Sequence, residues 1–147
     1  MLIDIATTDE DIAACYPVLR QLRPKLDAST FVADVRRMQL QGYILASLRD
    51  GDIRAVAGYR YYELFATGLT LYIDDLVTNA GHRSSGYGER VLEWLKREAT
   101  DRGCRFLTLD SGLKRLAAHR FYRRHGLEEM ALHFAIPTDG GPMWTSD

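Results

Sequence analysis

Cysteine is scarce: the 147 residues hold two, Cys15 and Cys104. Neither sits in a CxxC or beside a histidine, so a metal site is not expected. Two buried free thiols in a reducing compartment are the expectation. No apolar run approaches membrane-spanning length. The N-terminus, Met1-Leu2-Ile3-Asp4, lacks the charged and apolar blocks of a signal peptide, so a cytoplasmic location is expected. An excess of one charge sign is missing too. The formal net charge is −1, which implies no bulk attraction to nucleic acid or an anionic membrane. Internal repeats, linkers and low-complexity segments are also absent. With 46% apolar and 27% charged residues, the chain is long enough and apolar enough for one domain with a real core.

The pattern along the chain predicts an element order. Residues 2–5 read as a short strand. Thr8 with Asp9, Glu10 and Asp11 is a helix start, and Ile12, Cys15 or Tyr16, Leu19 and Leu22 give its apolar stripe up to Arg23-Pro24. A second helix carries Phe31, Val35 and Met38 and stops near Gly42. Strands at 43–48, 53–65 and 69–78 form an antiparallel meander, with Asp50-Gly51 as the first turn. A helix from about Tyr87 to Arg102 presents Tyr87, Val91, Leu92, Leu95 and Ala99 on one face and can pair Glu93 with Arg97 on the other. Gly103 stops it, and residues 104–109 read as a buried strand parallel to the one before the helix. A fourth helix buries Leu113, Ala117 and Phe121 and ends at Gly126; a last strand spans 127–136. Residues 1–137 read as one domain and 138–147 as a polar, mobile tail.

Between strand and helix lies Val77-Thr78-Asn79-Ala80-Gly81-His82-Arg83-Ser84-Ser85-Gly86-Tyr87-Gly88. Glycines let the backbone bend and a ligand approach. The free N–H groups and dipole of the following helix favour an anion. Arg83-x-x-Gly86-x-Gly88 resembles the acetyl-CoA loop, Q/R-x-x-G-x-G/A, of the GNAT acetyltransferase superfamily. Asp74-Asp75-Leu76-Val77 resembles the acidic strand ending of many members. Ala118-His119-Arg120-Phe121-Tyr122-Arg123-Arg124-His125-Gly126-Leu127 resembles the second signature, A-x-x-F-Y-x-x-x-G-F. The signatures occur in the family's order, and the likeness runs to about residue 137.

The resemblance implies a layered α/β (α+β) GNAT fold: a mixed, mostly antiparallel twisted sheet with helices on both faces, in the order β-α-α-β-β-β-α-β-α-β. It implies acetyl-CoA as co-substrate, without a metal. The fourth and fifth strands would splay, leaving Leu76, Val77 and Thr78 to pair with the pantetheine arm. Arg83, Ser84, Ser85, Gly86, Tyr87, Gly88 and Glu89 would hold the pyrophosphate. Ser84-Ser85 replaces the family's common Gly-Lys pair, Ala80 a frequent proline, and Arg115 a frequent asparagine that helps hold CoA. His82 is expected at solvent.

Acetyl transfer to an amine needs the amine neutral, the carbonyl oxygen stabilised and the leaving thiolate protonated. Asp74 and Asp75 are candidate bases. Strand alternation sends them to opposite faces unless a bulge intervenes. Tyr122 matches the family's general acid, and His119, one turn earlier, could orient it or contact CoA. Tyr59, Tyr61, Tyr62 and Tyr72 either line an acceptor pocket or belong to the core. An acidic pair leans toward a cationic or primary amine of a small molecule or a protein. The assembly is expected to be a monomer or a homodimer. Two other readings stand beside the enzyme: a non-catalytic acyl-CoA sensor of the same fold, and a nucleotide-binding module. The second lacks the P-loop Lys-Ser pair and the Rossmann glycines.

Overall fold

The computed structural model describes residues 1–145. Along the chain it forms β1 (Leu2–Ile5), α1 (Asp9–Leu22), α2 (Phe31–Gln39), β2 (Ile44–Asp50), β3 (Asp52–Leu64) and β4 (Gly68–Thr78). A 3-10 turn at Ala80–His82 leads to α3 (Tyr87–Asp101), β5 (Phe106–Leu109) and α4 (Leu116–Arg124). The chain divides into two compact units, Met1–Leu109 and a second beginning at Asp110. No helix among the described residues is long and apolar enough to cross a membrane.

The first unit is a five-stranded sheet in the order β1-β2-β3-β4-β5. The first three pairings are antiparallel and β4–β5 is parallel, as the strand–helix–strand spacing requires. α1 starts on a capping box: the Thr8 hydroxyl accepts from the Asp11 N–H, and the Asp11 carboxylate accepts from the Thr8 N–H. Its Ile12, Cys15, Val18 and Leu19 pack with Phe31 and Val35 of α2 against Leu45, Val56 and Val77. α3 covers the opposite face, burying Val91, Leu92, Leu95 and Ala99; its Trp94 meets Tyr59 edge to face. Alternation along β3 explains the division, since Val56 and Tyr59 have opposite parity. Tyr59 is therefore core, at 1% exposure. Tyr61 lies beneath the Arg102 guanidinium, and Tyr62 meets Tyr72 edge to face. Glu93 pairs with Lys96, one residue closer on the same helix than Arg97.

The second unit departs from the sequence pattern. α4 begins at Leu116 and has no buried residue; Leu113 is 85% exposed and Ala117 is exposed. Gly126 ends the helix with a positive φ, and the Leu127 N–H donates back to the Tyr122 carbonyl. The expected last strand does not form. Residues 127–136 join no ladder, and Leu132, Phe134 and Ile136 stand exposed. Alternation prepares a segment for pairing but supplies no partner, and an exposed backbone satisfies its polar groups with water. Of the tail, residues 146–147 lie outside the described residues.

Candidate active site

Alternation would separate Asp74 from Asp75, but a bulge intervenes. Gly58 faces Asp75 while Tyr59 faces Ile73, so Asp74 is the extra residue of β4. Both carboxylates consequently join one network on the α1–α2 side of the sheet. Arg60 grips Asp74 with two donors, Nε at 3.1 Å and Nη2 at 2.7 Å. Arg23, the C-cap of α1, donates from Nε to Asp75 at 2.8 Å and from Nη2 to the Asp74 carbonyl at 3.0 Å. The Tyr43 hydroxyl donates to the other Asp75 oxygen at 2.9 Å, and the Arg60 guanidinium lies over the Tyr43 ring. Burial raises the Asp74 pKa, partly offset by Arg60. Burial and the neighbouring Asp75 charge push the Tyr43 phenol well up, so it remains a neutral donor.

β4 then runs into the glycine-bearing turn. The Asn79 N–H donates to the Arg54 carbonyl, and Gln21 of α1 bonds both the Asn79 side chain and the Ala80 N–H. His82 is half-buried, contrary to expectation. Arg54 is bonded to its Nε2, and its ring meets Tyr87 edge to face. Tyr87 in turn donates to Asp50 at 2.8 Å. These contacts fix the base of the turn, while residues 83–86 are exposed.

The turn has the features of an anion cradle. Ser84 and Gly86 both adopt positive φ, 69° and 80°. No side chain caps α3. A Cβ built on Gly86 meets nothing within 4 Å. On β4, pairing with β5 covers only Thr70–Ile73, so among the described residues no ladder to β5 reaches Leu76, Val77 or Thr78. An uncapped helix start beside a strand edge open on one side fits a ligand with a phosphate and an extended amide arm.

The second unit carries the remaining predicted residues. The His119 Nε2 lies 2.8 Å from the Gly112 carbonyl, which ties this ring to the turn before α4. Tyr122 and His125 flank Phe121, with Tyr122 edge to face. Arg115 is the residue preceding α4, without a capping side-chain bond. Sequence reading missed Arg60, Tyr43 and Gln21 and did not tie Arg23 to Asp75, because these partners lie far along the chain. Gly58 did give a signal: a glycine inside a strand marks a bulge or a close approach. No group of three or more His, Cys, Asp or Glu residues among the described residues could hold a metal.

Comparison with known proteins follows the same lines. Residues 6–127 match the model of the acetyltransferase (GNAT) family. The uncharacterised N-acetyltransferase YhdJ of Bacillus subtilis is 38% identical over 118 residues, covering 79% of this chain and 83% of its own. The aminoalkylphosphonate N-acetyltransferase of Salmonella typhimurium is 28% identical over 132 residues, covering 86% and 85%. Among solved structures, the aminoglycoside N-acetyltransferase AAC(6')-Iy in complex with CoA superposes with a TM-score of 0.79 at 16% identity, covering 93% of this chain and 95% of that one. The chain belongs to the acetyltransferase (GNAT) family and is an acetyl-CoA-dependent acyltransferase.

Proposed function

We propose that the protein is an N-acetyltransferase that moves the acetyl group of acetyl-CoA to a primary amine of a small molecule or a protein. One observation carries this reading: a single stretch, 74–89, holds the acid pair, a strand edge open on one side and the uncapped turn. The CoA bound to AAC(6')-Iy supports the cofactor. The names of the relatives support an amine acceptor.

Bound acetyl-CoA would supply a thioester carbonyl. The N–H groups around Arg83, Ser84, Ser85, Gly86, Tyr87, Gly88 and Glu89 take the pyrophosphate. Backbone groups of Leu76, Val77 and Thr78 take the pantetheine arm. Asp74, whose pKa burial raises, accepts the proton of the acceptor ammonium. Asp75, with Arg23 and Tyr43 on its two oxygens, organises the pair. Tyr122 donates a proton to the leaving sulfur, a role carried by its motif. His119 serves α4 through Gly112. Both acids already meet guanidinium groups, so the acid pair does not by itself select a polycation. The test is thiol release from acetyl-CoA with a panel of a polyamine, an amino sugar, a lysine peptide and an aminoalkylphosphonate. Release with at least one amine is expected. Tight acetyl-CoA binding without release for any of them would refute transfer to an amine of these classes.

A further inference from the structure

Tyr43 stands outside every signature the sequence carries, yet it sits at the centre of the acid network. It is 3% exposed and belongs to the core that α1 and α2 build on the sheet. Its ring occupies the space above Gly58, the residue that faces Asp75 across the β3–β4 ladder. A Cβ at Gly58 would lie 2.0 Å from the Tyr43 hydroxyl oxygen and 2.4 Å from Cζ, distances that no side chain tolerates. Only glycine leaves room for the phenol this close to the strand at the bulge. From there the hydroxyl reaches Asp75 at 2.9 Å.

We infer that Tyr43, seated on Gly58, is a positioning residue that fixes the Asp74–Asp75 bulge in its working geometry. The inference rests on the acid-pair reading given above. Asp75 is held on both oxygens, by Arg23 and by Tyr43, so its side chain cannot rotate. Arg23 also ties down the Asp74 carbonyl, which fixes the bulged peptide. Arg60 bridges back, gripping Asp74 while lying over the Tyr43 ring. Removing the hydroxyl frees one Asp75 oxygen and loosens the chain of contacts that ends at Asp74. A shift of about 1 Å in a reacting group costs on the order of a hundredfold in rate, so a partial loosening is readable.

The experiment compares Tyr43→Phe, Gly58→Ala, Asp74→Asn and Asp75→Asn with wild type, using the best amine of the panel. For Tyr43→Phe, kcat should fall roughly tenfold or more, with KM and calorimetric affinity for acetyl-CoA within about twofold. The Arg23 Nε–H signal in NMR should exchange faster with water, a readout that needs no acceptor. Gly58→Ala should give the same pair of changes if it folds; Tyr43→Phe, which keeps the ring, decides if it does not. Wild-type kcat in Tyr43→Phe, or an unchanged Arg23 signal, overturns the positioning role. If Asp74→Asn and Asp75→Asn both retain full turnover, the acid-pair reading fails and the inference falls with it. If those variants are impaired and Tyr43→Phe is not, only the inference fails.

Discussion

At the scale of single residues, the two adjacent aspartates illustrate how environment divides labour between identical groups. Among the described residues the Asp74 carboxylate is gripped by Arg60, and burial raises its pKa above the ordinary 3.8. Asp75 has two donors from distant parts of the chain and is the more buried, with its side chain 12% exposed against 19%. A base must be deprotonated to act. If Asp74 is that base, its raised pKa should move the acid limb of the turnover profile upward from the ordinary aspartate position, with activity rising as pH increases through it. Asp74→Asn should lower kcat by roughly a hundredfold or more and remove that limb. Asp75→Asn should keep the limb, lower kcat roughly tenfold as Tyr43→Phe does, and lose stability as well. Arg23 can turn its partly exposed head to water, so the loss should be about 1–3 kcal/mol, and not that of a fully buried pair. Rate profiles against pH, with urea melts of the same samples, separate the two roles. Equal and pH-independent losses in both variants would contradict the division.

At the scale of elements, the α3 N-terminus is where backbone shape sets chemistry. Gly86 holds φ at 80° with open space where a Cβ would stand. Gly86→Val meets no protein atom there, but a β-branched residue in the left-handed region carries a strain of about 1–2 kcal/mol. The side chain would instead occupy the cradle, so acetyl-CoA binding should become undetectable by calorimetry while the protein stays folded. Unchanged affinity in a folded variant would move the pyrophosphate elsewhere. This turn was legible in the sequence because its signals are local: Gly86, the strand ahead and the apolar stripe behind. The α1 capping box, the Asp50-Gly51 hairpin and the Gly103 stop were legible for the same reason. The bulge at Asp74 was not, because register depends on what the neighbouring strand presents. Nor were Arg23 and Tyr43, which reach Asp75 from 52 and 32 residues away. Residues 127–136 show the converse error, since alternation there promised a strand that no partner completes.

At the scale of the whole molecule, the proposed machinery is shared unequally between the two units. The buried apolar core of the described chain lies between Ala6 and Ala99, inside the first unit. That unit also carries the acid network, the β4 edge and the turn. It should therefore fold when produced as residues 1–109, with a cooperative melt and the circular dichroism of a sheet with three helices. It should bind acetyl-CoA, because the cradle and strand edge are complete in it, but it should not release thiol to an amine, because Tyr122 lies beyond it. Tyr122→Phe in the full chain is the finer version of the same test. Losing one hydroxyl should change stability by about 1 kcal/mol and acetyl-CoA affinity little. Turnover should fall by roughly a hundredfold if the phenol protonates the leaving sulfur. Calorimetry and steady-state rates on both proteins decide the matter together. Wild-type turnover in residues 1–109 or in Tyr122→Phe would remove Tyr122 from the mechanism and assign the proton to water or another group. A folded 1–109 chain that binds no acetyl-CoA would show that the turn and the β4 edge are not sufficient to hold the cofactor.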